Sequence, residues 1–215
     1  MIFVFYKKYV DTLDILWYNM IKERDNEMKN NNFILLMGKS GTGKSTIAQE
    51  LYKRYGLSSI ESYTTREPRY PNESGHIFVT NEQFDELENM VGFTTFCGNR
   101  YCATAEQVEE NDIYIIDPDG VEYFMETYIG NKTPIVIYLE FPISVCYDRL
   151  VLRDGAEEAE RRKENDNEIF TNAKFLADEI LREPDTDICV EEIYKIWKDG
   201  MRWNSQCGII INITT

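Results

Sequence analysis

Residues 37–46, Met-Gly-Lys-Ser-Gly-Thr-Gly-Lys-Ser-Thr, concentrate the residue types that handle phosphate. Gly38, Gly43, Lys44 and Ser45 stand at P-loop spacing, with four residues between the two glycines. Glycines let backbone N–H groups turn toward phosphate oxygens, and a following helix presents its N-terminus to the same anion. Gly38, Ser40, Gly41, Thr42, Gly43, Lys44, Ser45 and Thr46 are therefore the expected contacts to the phosphates of ATP. Lys44 is expected to reach the β and γ phosphates, and the Ser45 hydroxyl to hold Mg²⁺.

A second cluster follows at residues 62–69, Ser-Tyr-Thr-Thr-Arg-Glu-Pro-Arg. Arg66 and Arg69 lie three apart around Pro68, which stiffens the loop. Two guanidinium forks with Ser62 and Tyr63 nearby could clamp another phosphate by bidentate hydrogen bonds. Two loop arginines alone are commonly surface residues. Just downstream of a P-loop helix, they become a candidate acceptor site.

These groups need elements to position them. Residues 33–37, Phe-Ile-Leu-Leu-Met, read as a buried strand. Ile47, Leu51 and Tyr55 have helical spacing, with Gly56 as a C-terminal cap. Residues 112–117 and 133–141 are further near-continuous apolar strands, each followed by a helical pattern. Alternating strands and helices of this kind predict an α/β fold, a parallel sheet covered by helices. Between 57 and 103 the segments are short and rich in Thr and aromatics, which predicts a small inserted antiparallel or mixed sheet. Thr80 with Gln83, and Thr104 with Gln107, have capping-box spacing. Residues 154–168 are almost wholly polar and predict an exposed helix, read as a mobile flap rather than core. Val10, Leu13, Trp17, Met20 and Ile21 fit one helical face; the alternative is that Met28 marks the functional start. A strand is expected at 208–213.

The whole chain has 215 residues, 43% of them hydrophobic, with a formal charge of −15. That size suits one domain with inserted lobes. Such a negative surface repels a nucleic-acid backbone, so no nucleic-acid polymer is expected as a partner. No apolar run approaches the ~20 residues that span a bilayer. The N-terminus lacks the pattern of a secretory signal, and the expected location is the cytoplasm. Five scattered cysteines beside a single histidine make a zinc site improbable and read as reduced thiols.

The ordered set Gly-Lys-Ser-Gly-Thr-Gly-Lys-Ser-Thr, Ser-Tyr-Thr-Thr-Arg-Glu-Pro-Arg, Gly-His-Ile-Phe-Val-Thr, Gly-Asn-Arg-Tyr-Cys-Ala-Thr, Ile-Ile-Asp-Pro-Asp-Gly and Tyr-Asp-Arg-Leu-Val-Leu-Arg-Asp-Gly resembles the guanylate kinases, members of the nucleoside-monophosphate kinases. The resemblance runs from about Phe33 to about Trp197. It implies transfer of the γ-phosphoryl of Mg·ATP to GMP or dGMP by a monomer or homodimer. The implied layout is an N-terminal extension (1–32), a kinase-like domain (33–198) and a tail (199–215). Within the domain it gives a core (33–59 and 106–198), a monophosphate-binding lobe (about 60–105) and a lid (about 153–168).

By the same resemblance, Ser62, Arg66, Arg69 and Tyr101 would hold the acceptor phosphate. His76 stands where the family has a second tyrosine. Asp117 would help position Mg²⁺, and Asp119 and Thr104 would contact the base. Asp117 or Asp119 capping the next helix is the competing reading. Arg153, Arg161 and Arg162 would be catalytic with Lys44, closing over the transferring phosphoryl. Pairs Glu157/Arg161 and Glu158/Arg162, four apart, would otherwise simply support a helix. Arg149 reads as surface or structural. The glutamate that the family uses to read guanine is missing; Thr94 and Thr95 lie in that segment. Two alternatives follow: a P-loop kinase with another acceptor, such as a different nucleotide or a sugar phosphate, and a non-catalytic binding module.

Overall fold

The structure, a computed structural model, describes residues 30–200. The helix expected around Val10–Ile21, the alternative start at Met28, Cys207 and the strand expected at 208–213 lie outside these residues.

Strands β1 (Asn32–Gly38), β6 (Ile113–Ile115), β7 (Thr133–Leu139) and β8 (Glu179–Leu181) form a parallel sheet ordered β6-β1-β7-β8. Side chains alternate across a strand, and here both faces are apolar. Phe33, Leu35, Met37, Val136 and Tyr138 face one layer, with Val121 and Phe124 of α4 (Pro118–Thr127) and Ala173 of α7 (Ala173–Leu176). Ile34, Leu36, Ile135, Ile137 and Leu139 face the other. There they meet Ile47 and Leu51 of α1 (Lys44–Tyr55) and Val190 and Ile193 of α8 (Thr186–Asp199). Burying each such side chain contributes about 2 kcal/mol. The expected α/β fold is present, and α1 ends as expected at Gly56, whose N–H donates to the Tyr52 carbonyl at 2.9 Å.

The second sheet is mixed, one of the two arrangements expected for it. Strands β2 (Ser62–Thr64), β3 (His76–Phe78), β4 (Met90–Phe96) and β5 (Asn99–Thr104) are ordered β3-β2-β5-β4. β5 runs antiparallel to β2 and β4, but β3 pairs parallel with β2. A hairpin reverses the chain in a few residues, whereas parallel neighbours need a longer crossover. The loop 65–75 is that crossover. It carries both arginines of the second cluster and returns His76 to face Ser62 in register.

Both capping boxes form, at Thr80–Gln83 before α2 (Asn81–Asp85) and at Thr104–Gln107 before α3 (Ala105–Glu110). The strand expected at 112–117 is shorter, because Asp117 leaves it to cap α4. The polar stretch 154–168 corresponds mainly to α6 (Ala156–Ile169), which follows α5 (Ile143–Asp154). It is not wholly exposed: Ala159 and Asp166 are buried.

Candidate functional site

Between β1 and α1 the chain turns through Gly41 (φ 83°) and Gly43 (φ 87°), conformations that L side chains rarely adopt. At Gly41 a Cβ would also overlap the Cys146 carbonyl of α5. The loop is braced on both sides. Thr42, buried, donates through Oγ1 to the Lys39 carbonyl at 2.8 Å. Arg149 Nη1 donates to the carbonyls of Gly41 (3.4 Å) and Thr42 (3.3 Å), and Nη2 to Pro184 O at 3.1 Å. With the Thr42 carbonyl turned to Arg149, the Gly43 N–H of the same trans peptide points the other way. Arg149 is thus a structural arginine of the phosphate loop.

Lys44 Nζ donates to the carbonyls of Gly38 and, at 3.2 Å, Lys39. Burial lowers its pKa to about 8, partly offset by Asp166. The Asp166 carboxylate accepts from Ser40 N (2.6 Å) and Ser40 Oγ (3.3 Å). Burial raises its own pKa, since leaving water disfavours the charge. Sequence reasoning missed Asp166 because its neighbours are polar. The available signal was Ala159 and Phe170, seven residues before and four after, which put it on the apolar face of α6.

Above this loop lies a cavity of about 180 Å³. The phosphate loop contributes Gly38, Ser40 and Lys44 to its walls. The second sheet contributes Ser62, His76, Thr94, Phe96 and Tyr101, and the crossover loop contributes Arg69. Tyr114–Asp117, Asp166 and Phe170 complete the lining. Eight expected residues, Gly38, Ser40, Lys44, Ser62, Arg69, His76, Tyr101 and Asp117, thus surround one space. Gly41, Thr42, Gly43, Ser45 and Thr46 are not among its lining residues; they form the loop and the first turn of α1.

Arg66 lies beside the cavity rather than on it. Its guanidinium grips Glu73 at 3.2 and 2.9 Å and stacks over Phe78, 5.3 Å from the ring centre. Glu73 also accepts from the Arg69 backbone N–H at 2.7 Å and from Arg69 Nη1 at 3.4 Å. With its side chain 4% exposed, Glu73 orients both arginines and cancels one of their charges. It too was missed, since an acid in an acidic chain carries no signal.

Two residues expected to contact the base stand off the cavity walls. Thr104 caps α3 through the Gln107 N–H and does not line the cavity, while Asp119 is exposed in the first turn of α4. Thr94 lines the cavity instead. Its Oγ1 donates to Asp117 Oδ2 at 2.8 Å, and Asp117 Oδ1 accepts from the Gly120 N–H at 2.8 Å. Asp117 therefore does cap its helix while still facing the cavity.

The three arginines expected in the lid do not line the cavity and are paired with carboxylates, yet Arg153 stands close enough to Lys44 and Arg69, and Arg162 to Arg69, to disfavour their positive charges. Arg153 grips Asp154 at 2.9 and 2.7 Å. Arg161 grips Glu158 at 2.8 and 2.7 Å, and Arg162 shares Glu158 at 2.9 Å. The partner of Arg161 is Glu158, three residues back, rather than the expected Glu157. Arg161 and Arg162 together lower the Glu158 pKa to about 2. Among the described residues, no group of three His, Cys, Asp or Glu could hold a metal ion, and Cys97, Cys102, Cys146 and Cys189 are free thiols. None of the described helices is long and apolar enough to cross a membrane.

A parallel sheet ending in a phosphate loop, beside a small mixed sheet that carries an arginine cluster, defines a P-loop α/β protein. An AAA domain family model matches residues 34–171, more than half of the chain, and the chain belongs to that family. It is similar to a guanylate kinase of Clostridium tetani, at 27% identity over 144 residues (62% of this chain, 68% of the relative). A guanylate kinase of Fusobacterium nucleatum subsp. nucleatum is 31% identical over 81 residues (35% of this chain), and there the match spans less than half of the relative, 44% of its length. A crystal structure of guanylate kinase from Anaplasma phagocytophilum shares the fold, with a TM-score of 0.55 at 20% identity over 80% of this chain and 88% of that one. The protein is guanylate kinase-like.

Proposed function

We propose that the protein is a nucleoside-monophosphate kinase of the cytoplasm, transferring the γ-phosphoryl of Mg·ATP to GMP or dGMP. The observation that carries this reading is one cavity with two cationic ends: Lys44 and the phosphate loop at one, Arg69 with Ser62, His76 and Tyr101 at the other. Two phosphates held at those ends suit transfer from phosphate to phosphate. An acceptor phosphate oxygen bonds to the γ-phosphorus, the bond from that phosphorus to the β–γ bridging oxygen breaks, and ADP leaves. The protein contributes position and charge rather than covalent chemistry.

Ser45 and Asp117 supply a hydroxyl and a carboxylate, oxygen donors of the type Mg²⁺ takes, so the residues fit that ion. When bound, Mg²⁺ would neutralise charge on the phosphates. In this reading residues 60–105 form the acceptor lobe and 153–168 the lid. Arg153, Arg161 and Arg162 would exchange their carboxylate partners for phosphate as the lid closes. Thr94 supports a base that carries an amino group: its hydroxyl proton is committed to Asp117, so only lone pairs remain to meet a donor. A second reading, a phosphorylated acceptor of another kind, is favoured by the exposure of Asp119 and the bonds already occupying Asp117.

The test is ADP release from Mg·ATP with GMP, dGMP, AMP, dAMP, CMP, UMP, dTMP and sugar phosphates offered in turn. Preference for GMP or dGMP supports the first reading, and preference for another acceptor supports the second. Lys44→Ala should abolish turnover in a folded protein, and Arg66→Ala should mainly raise KM for the acceptor. No turnover on any acceptor would overturn the kinase proposal and leave a binding module.

A further inference from the structure

The acceptor end of the cavity holds the chain's one histidine. Parallel pairing of β2 with β3 sets His76 directly beside Ser62, and His76 Nδ1 lies 2.9 Å from Ser62 Oγ. Ser62 is buried, so the contact is sheltered from water. With Nδ1 engaged, Nε2 is the nitrogen left to meet a ligand. The ring edge also meets Tyr101 of β5, at 5.8 Å between ring centres, and both residues line the cavity with Arg69.

We propose that His76 is a proton-coupled phosphate ligand, a neutral imidazole in the empty site and an imidazolium when a phosphate dianion fills it. This rests on the reading of that end of the cavity as the acceptor-phosphate site. Ser62 makes the change cheap. A hydroxyl donates to a neutral Nδ1 and accepts from a protonated one, so the buried contact survives in either state.

The charges facing the ring set the direction. Arg66 and Arg69 of the crossover loop oppose a positive ring and Glu73 between them favours one. Across the cavity lie Lys44, Asp117 and Asp166, and Tyr101 flanks the ring from β5. Burial first, then Arg66 and, more weakly, Arg69, hold the His76 pKa below its ordinary value despite Glu73. A bound dianion supplies the negative charge that the empty site lacks, which favours the imidazolium. The bound ring then has the higher pKa. Binding takes up a proton between the free and bound midpoints, and affinity rises as pH falls through that interval. Above pH ~6.5 a phosphate monoester such as GMP stays mainly a dianion, so the GMP titration separates this effect from titration of the ligand.

A single histidine makes the test direct. The full-length protein, isotope-labelled at histidine, is titrated by NMR from pH 5 to 9, alone and saturated with inorganic phosphate or GMP. Calorimetry in buffers of different ionisation enthalpy establishes binding and counts protons. We expect the His76 midpoint to rise by at least about one unit with ligand, equivalent to about tenfold tighter binding below the free midpoint than above the bound one. Net proton uptake should accompany it, and His76→Gln should flatten the pH dependence to under about twofold. If a probe binds and the midpoint stays fixed, the proton coupling is wrong while the kinase reading stands. If calorimetry shows that neither probe binds, the acceptor-site reading falls, and the coupling with it.

Discussion

Asp166 places its carboxylate 2.6 Å from the backbone nitrogen of Ser40, joining α6 to the phosphate loop across 126 positions of sequence. A single N–H serves one strong acceptor at a time. Asp166 holds a donor of the loop for which the ATP phosphates would compete. Asp166→Ala should therefore lower stability by about 1–3 kcal/mol, the range for stripping a partner from a buried donor. It should also tighten ATP binding by removing a rival acceptor and a negative charge. Thermal melts and nucleotide titrations measure both effects; weaker ATP binding in the variant would exclude the competition.

Lys44 leads to a pH dependence. Its free-state pKa is lowered by burial to about 8, whereas a bound triphosphate favours the ammonium and raises it. ATP affinity should be nearly flat between pH 6.5 and 7.5, then fall above about 8, approaching tenfold per pH unit. Lys44→Met should bind ATP weakly at every pH and lose the slope. The unfolded lysine keeps its higher pKa, so in the absence of nucleotide this group adds stability as pH rises from about 8 toward 10.5. A pH series of ATP titrations is decisive, and a slope retained in Lys44→Met would assign it elsewhere.

Glu73 is the hub of the arginine cluster, bonded to the Arg66 guanidinium, the Arg69 guanidinium and the Arg69 backbone. Replacing it by Ala leaves the half-buried Arg66 without its counter-ion. The expected cost is about 1–3 kcal/mol, the range for leaving a polar group without its partner. The KM for the acceptor should rise while that for ATP changes little, because the clamp loses its orientation and the phosphate loop does not. Equal effects on both substrates would mean general loosening instead.

Gly41 tests the geometry of the phosphate loop. Gly41→Ala combines a φ of 83° with an overlap against the Cys146 carbonyl. A strained backbone of this kind costs about 1–3 kcal/mol before any steric overlap is added. We expect a clear loss of thermal stability together with loss of ATP binding. Gly56→Ala is the control: its φ is also positive, but its Cβ would meet open space. It should lose stability and keep ATP affinity. An intact nucleotide affinity in Gly41→Ala would show that the loop tolerates movement of α5.

The sequence by itself determined the elements whose causes are local. The continuous apolar run Phe33–Met37 specified a strand buried on both faces. The glycine spacing from Gly38 to Gly43 specified the phosphate loop, and hydroxyl-to-glutamine spacing specified the caps at Thr80 and Thr104. Each signal depends on neighbours a few residues away, so each could be read in place.

Only the tertiary structure decided which polar groups meet. Glu73 and Thr94 carry no local mark that separates them from other acids and hydroxyls, Asp166 carries only its spacing from Ala159 and Phe170, and the partners of all three are fixed by the packing of α6, the crossover loop and β4. Thr104 and Asp119, placed at the base by the family resemblance, do not line the cavity. The parallel return of β3 was equally hidden, because strand direction is set by where a crossover packs. That return put His76 beside Ser62 and on the wall of the cavity.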